Sequence, residues 1–194
     1  EMYDVYTGFK WIANVMRENE GKKNYIGGGE ESYGFLCEDF VRDKDAVSAC
    51  VILAEIAAWA KDQGLSLYQL LQKIYVEYGF SKEKGISVVK KGKSGAEEIE
   101  AMMKKFRENP LTEIAGSKVT YFYDYSTLKG KDYAENETVT LDMPTTSNVL
   151  QYFTEDNTKV SIRPSGTEPK IKFYCEVHSK VKNIDELPEL SLIH

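Results

Sequence analysis

The apolar residues keep one spacing early in this chain of 194 residues and another late in it, and that difference limits what it can fold into. Up to Gly79 they recur every three or four positions, the period of an amphipathic helix, whereas past Asn109-Pro110 they alternate, the period of a strand. In the first stretch Thr7 is expected to cap a helix carrying Trp11, Ile12, Val15 and Met16 and closed by Gly21. Asp45 caps a second, with Val47, Val51, Ala54 and Ala58 in a stripe that stops at Gly64. Ser66 and Gln69 form a capping box for a third, with Leu67, Leu70, Leu71, Ile74, Tyr75 and Tyr78 at helical spacing. The second and third helices are expected to be buried on one face.

Around Gly79 to Gly85 the character shifts, and a domain boundary is placed there, giving domains of 1–80 and 81–194. Ile86, Val88 and Val89 predict a strand. Ser94 and Glu97 predict a capping box for a helix with Ile99, Met102, Met103 and Phe106, ended by Asn109-Pro110. KVTYFYDY reads as a strand, QYFTEDNTKVSI as a hairpin, and KIKFYCEV as a strand with Ile171, Phe173, Cys175 and Val177 on one face. The fold class expected is a partial α/β domain followed by an α+β domain with an antiparallel sheet flanked by helices. The closing KNIDELPELSLIH lacks periodicity and is expected to be a loosely held tail.

Composition narrows the function. A net charge of −6 argues against a general nucleic-acid or membrane-surface binder, so any anion site must be local. Cys37, Cys50 and Cys175 are odd in number and lack C-x-x-C spacing, so they are expected to be buried or half-buried thiols; no metal site is read from them. With no leader pattern and no apolar run of membrane-spanning length, a cytoplasmic location is expected.

Two loops carry chemistry. RPSGTEPK, residues 163–170, lies between alternating runs at the expected tip of a hairpin. Arg163 offers a planar fork of donors suited to a phosphate dianion, Ser165 and Thr167 add hydroxyls, and Gly166 lets an oxygen approach backbone N–H groups. The other loop, GGGEESYG, residues 27–34, sets Glu30, Glu31 and Ser32 between glycines that allow a tight turn, a set that grips vicinal sugar hydroxyls. Taken singly, each loop reads equally well as an ordinary turn. A hydrolase using Glu30 and Glu31 is disfavoured because adjacent carboxylates do not make an opposed acid and nucleophile pair. GKS at residues 92–94 is a decoy for a nucleotide loop, since the glycine required at position 87 is Ser87.

GEESYG followed by RPSGTEPKIKFY, with TGFK at residues 7–10 and RDKDA at residues 42–46, resembles the α-D-phosphohexomutase superfamily of phosphoglucomutases and phosphomannomutases. The resemblance covers residues 1 to about 178 and implies the later part of a third domain and a fourth domain of a four-domain enzyme, whose earlier domains would be its missing partners. It implies sugar contacts for Glu30, Ser32 and Lys44, with Phe9 and Lys10 as second candidates, and phosphate contacts for Arg163, Ser165, Gly166, Thr167 and Lys172. The whole enzyme would interconvert hexose 1-phosphate and hexose 6-phosphate through a phosphoserine and a hexose bisphosphate, with Mg²⁺ as cofactor. Neither the serine loop nor the metal loop occurs in this sequence, so no catalytic residue is assigned and the chain alone is expected to be inactive. A stand-alone, non-catalytic phosphosugar-binding module is the alternative.

Overall fold

The computed structural model describes residues 1–30, 33–90, 92–166 and 168–187. The chain divides into two compact units, Glu1–Gln72 and Lys73–His194.

The first unit is built on helix α1 (Phe9–Glu18) and a hairpin of β1 (Gly27–Gly29) and β2 (Phe35–Cys37). Phe9, Met16 and Leu36 are its buried core, with Ile12 and Tyr25 packed against them. The three glycines of β1 have no side chains to pack, which lets the strand lie close to its neighbours. A Cβ on Gly28 would fall 2.7 Å from the Tyr25 hydroxyl and 3.0 Å from Ile12 Cγ2. The expected Thr7 cap does not form. Gly8 takes the cap position without a side-chain bond, because the helix begins one residue later than a threonine cap requires.

Helix α2 (Ala46–Asp62) is capped as its sequence predicts, with the Asp45 carboxylate accepting from Ser48 N–H at 2.7 Å. Helix α3 (Leu67–Tyr78) carries the reciprocal Ser66–Gln69 bonds of a capping box. Their burial departs from expectation. Val47 is 74% exposed, Val51 54% and Trp59 55%, and among α2 residues Ala60 is the buried one. The physical reason lies in the helix itself: AVSACVILAEIAAWAKD is apolar on every side, and such a helix calls for cover on more than one face. Among the described residues of this unit the hairpin is the only sheet available. Cys50, on α2, is exposed for the same reason, against the expectation of a buried thiol; Cys37 and Cys175 are half-buried.

The second unit is an antiparallel sheet backed by helix α4 (Gly92–Glu108). Its strands are β3 (Phe80–Val89), β4 (Glu113–Ile114), β5 (Ser117–Asp124), β6 (Lys129–Asp132), β7 (Glu137–Thr140), β8 (Leu150–Thr154), β9 (Lys159–Pro164) and β10 (Lys170–Ser179). They run in the order β3-β10-β9-β8-β5-β6-β7, with β4 paired to β5. Residues 80–85, read from sequence as part of the junction, are the first half of β3, paired with β10 from Phe80 opposite Ser179 to Gly85 opposite Tyr174. Strand β10 is long enough to template them. Helix α4 starts at Gly92, so Ser94 sits in its first turn and not at the predicted cap.

The core lies between α4 and one face of the sheet: Ile99 and Met103 meet Val119, Leu150, Tyr152, Val160, Ile162 and Ile171. Val119 and Phe122 both reach it although three residues apart, because a register shift between Val119 and Tyr121 resets the pleat. The Tyr152 hydroxyl donates to the Phe106 carbonyl at 3.1 Å, and burial pushes its pKa up to about 12. Part of the expected tail is anchored: Val181 and Leu187 are buried with Phe80, and Asn183 caps the short 3-10 turn Ile184–Glu186. Leu150 is fully buried at the centre of the sheet, so Leu150→Ala is expected to cost about 2–5 kcal/mol of unfolding free energy, read by urea denaturation.

Candidate functional site

The candidate residues fall in two groups, one in each unit. In the first unit the β1–β2 hairpin carries Glu30 at its tip, where the Glu30 N–H donates to the Gly34 carbonyl at 2.7 Å. The Asp45 N–H donates to the Phe35 carbonyl at 3.1 Å, which ties the start of α2 to β2 and brings Lys44 to the same place. Lys44 Nζ lies 3.8 Å from Glu30 Oε2, 3.2 Å from Asp43 Oδ1 and 5.7 Å from the centre of the Phe9 ring. The Glu30 side chain is 13% exposed and that of Lys44 51%, so the pair presents its cationic partner outward. The Lys44 backbone N–H, and then its ammonium, hold the Asp43 carboxyl below its usual pKa.

Not every predicted sugar contact joins this group. Phe9 is a core residue, buried beneath Lys44, and Lys10 lays its ammonium over the Trp11 ring at 5.0 Å. Ser32 lies outside the described residues. Sequence reasoning missed Asp43 and Gly34. Asp43 was visible as the acidic neighbour of Lys44 in RDKDA, whereas Gly34 looked like one turn glycine among several.

In the second unit RPSGTEPK closes the β9–β10 hairpin, as its flanking alternation predicts. Arg163 stands directly opposite Lys172 in the ladder. Their neighbours Ile162 and Ile171 point into the core, so the pleat sends both cations to the opposite face of the sheet. Two cations side by side repel, and an anion between them relieves that repulsion. The loop is held at its base by Ser165 N–H donating to the Lys170 carbonyl at 2.8 Å and by Lys90 N–H donating to the Pro169 carbonyl at 2.8 Å. The Ser165 hydroxyl accepts from Glu168 N–H at 3.3 Å, and a Cβ on Gly166 would meet nothing within 4 Å. Glu168, the one acidic side chain in the loop, pairs with Lys170, whose hydrogen bond holds its carboxyl below the usual value. Thr167 lies outside the described residues.

A cavity of about 770 Å³ opens between α4 and this loop, lined by Ile99, Met103, Arg107, Ser165 and Gly166 among others. Pro164, Glu168 and Pro169 of the loop line it as well, whereas neither Arg163 nor Lys172 does. Among the described residues no group of three or more His, Cys, Asp or Glu side chains could hold a metal ion, and no helix is long and apolar enough to cross a membrane.

The chain matches the phosphoglucomutase/phosphomannomutase alpha/beta/alpha domain III over residues 1–78. It matches the C-terminal domain of the same proteins over residues 86–189, more than half its length. The chain belongs to the phosphoglucomutase/phosphomannomutase family. A phosphoglucomutase of Staphylococcus haemolyticus is 37% identical over 188 residues, 97% of this chain and 33% of that protein. One from Staphylococcus aureus is 39% identical over 189 residues, 97% of this chain and 34% of that protein. The chain thus spans about a third of the length of the curated relatives it matches. A crystal structure of the exocytosis-sensitive phosphoprotein pp63/parafusin (phosphoglucomutase) from Paramecium, in its open form, shares the fold. Its TM-score is 0.57 at 18% identity, covering 96% of this chain and 32% of that one.

The sheet face that carries Arg163 and Lys172 continues to Glu176, which accepts from Lys159 across the ladder and pairs with His178 Nε2 at 2.8 Å. Burial pushes the Glu176 carboxyl up, but Lys159 and His178 together draw it down further, and it ends below its usual value. A carboxyl depressed on folding contributes stability that is fully present above its unfolded pKa, about 4.3, and is lost as pH falls through the lower folded value. Urea midpoints should therefore fall as the pH drops below about 4.3, and Glu176→Gln should make that fall shallower.

Proposed function

We propose that this chain is the substrate-positioning part of a phosphohexomutase, with the RPSGT loop and Lys172 as the seat of a phosphate that is held and not transferred. The observation that carries this reading is the placement of Arg163 directly across the ladder from Lys172, beside a loop braced at both ends. Its guanidinium meets two oxygens of a phosphate at once, Lys172 adds a point charge, and Ser165, Gly166 and Thr167 supply further donors. In the first unit Glu30, Ser32 and Lys44 address sugar hydroxyls, the carboxylate accepting and the ammonium donating. Phe9 supports Lys44 from beneath and is not itself a contact in this reading.

The parent reaction is the interconversion of hexose 1-phosphate and hexose 6-phosphate, through a serine phosphoryl donor and a hexose bisphosphate, in the cytoplasm. The role of this chain in it is orientation, which dominates phosphoryl transfer together with electrostatic stabilisation. Magnesium, the cofactor expected for that reaction, finds no ligand set among the described residues, and no step assigned to this chain passes through it. The exposed apolar sides of α2 and α3 count against the stand-alone module, since a self-sufficient domain covers such helices.

Arg163→Ala is expected to weaken hexose-phosphate binding by roughly 1.5–3 kcal/mol in a calorimetric titration, the range for hydrogen bonds to charged groups. Equal affinities would remove Arg163 from the site. The chain by itself is expected to give background rates when glucose 1-phosphate conversion is assayed with Mg²⁺ and a bisphosphate activator. Turnover that survives removal of the host mutase would place the transfer chemistry within these residues.

A further inference from the structure

At the tip of the β1–β2 hairpin the glycine is not where the backbone needs one. Left-handed backbone favours glycine because a Cβ there crowds the following carbonyl. Among the described residues of this turn the left-handed one is Tyr33, at φ 70°, with its side chain fully exposed. Gly34 beside it does not have a positive φ.

Space accounts for Gly34 where conformation does not. The residue is buried, and a Cβ on it would lie 2.6 Å from Glu30 Oε2 and 2.7 Å from Lys44 Cδ, distances at which something must move. Its own carbonyl accepts the Glu30 N–H at 2.7 Å, so the Gly34 backbone fixes the start of the Glu30 side chain while its bare α-carbon receives the end. Lys44 comes to the same spot from the far side, its stem over Gly34 and its ammonium 3.8 Å from the carboxylate.

We propose that Gly34 is a positioning residue whose missing side chain lets the Glu30 carboxylate and the Lys44 ammonium stand together in the orientation from which they address sugar hydroxyls. The proposal rests on the reading of Glu30 and Lys44 as sugar contacts. The atoms a Cβ would meet belong to flexible side chains and not to backbone, and an alanine can adopt the local φ. Gly34→Ala therefore keeps the fold and displaces the two arms. Tyr33→Gly does the reverse: it relieves the left-handed tyrosine and leaves the arms where they are.

The test uses the full chain with both variants, reading structure and binding separately. A crystal structure of Gly34→Ala is expected to show Glu30 and Lys44 parted beyond ion-pair distance, about 4 Å. Its affinity for glucose 1-phosphate should fall about tenfold, the scale of one disturbed charge-assisted hydrogen bond. Its affinity for inorganic phosphate should not change. Tyr33→Gly should bind both ligands as the parent does and melt at a higher temperature. Should Gly34→Ala fold poorly, adding Glu30→Asp, which withdraws the carboxylate by one methylene, should restore the melting temperature; no restoration overturns the proposal. An undisplaced Glu30–Lys44 pair in Gly34→Ala overturns it as well, and so does a displaced pair with unchanged glucose 1-phosphate affinity where Glu30→Ala weakens that affinity. If Glu30→Ala has no effect in the parent, the sugar reading itself fails, and a displaced pair still upholds Gly34 as the residue that sets the two arms.

Discussion

The pairing of β9 with β10 is the contact on which the second unit depends. Its register places Phe173 opposite Ile162 and Lys172 opposite Arg163, so one face of the ribbon feeds the core while the other gathers two cations. A slip of β10 by one residue would exchange its faces, burying Lys172 beneath α4, exposing Ile171 and parting Lys172 from Arg163. The hydrophobic core and the proposed anion seat are therefore specified by the same choice of register. Burial of Ile162 and Ile171 holds the two charges together against their mutual repulsion, at the mouth of a loop already braced by Lys90 and Lys170.

The first unit reaches its charged group by another route. No long ladder sets the positions of Glu30 and Lys44. A short hairpin, one cross-bond from Asp45 to Phe35, and a glycine without a side chain bring them together. The cap and the site share a segment, since Asp45 opens α2 while its neighbour Lys44 reaches Glu30. Precision here depends on a few local contacts in place of an extended sheet.

Much of the architecture was legible because it rests on local chemistry. The Asp45 cap, the Ser66–Gln69 box, the strand from Lys170 and the hairpin around RPSGTEPK each follow from residues within a few positions of one another. The misreadings share a cause. Thr7 and Ser94 are sound caps by residue type, yet where a helix starts also depends on what its first turn packs against. Residues 80–85 carry no apolar alternation, and they become strand because β10 offers a full row of partners. The stripe on α2 implied a buried face, but burial needs a second surface, and among the described residues of this unit the one sheet is a short hairpin.

The candidate site divides in the same way. Sequence alone determined which residue types could hold a phosphate or a sugar, because a guanidinium, a carboxylate and a hydroxyl keep their chemistry wherever they are placed. It also determined the order of the loops, and from that order the family resemblance. The tertiary structure decided which of those residues meet: Phe9 went to the core, Lys10 to Trp11, and Lys44 to Glu30. It alone set Arg163 and Lys172 apart from the cavity beside α4, and it alone showed how little room stands over the Gly34 α-carbon. The physical reason is that directions and clearances belong to pairs of segments far apart in the chain, and no local propensity encodes the space between them.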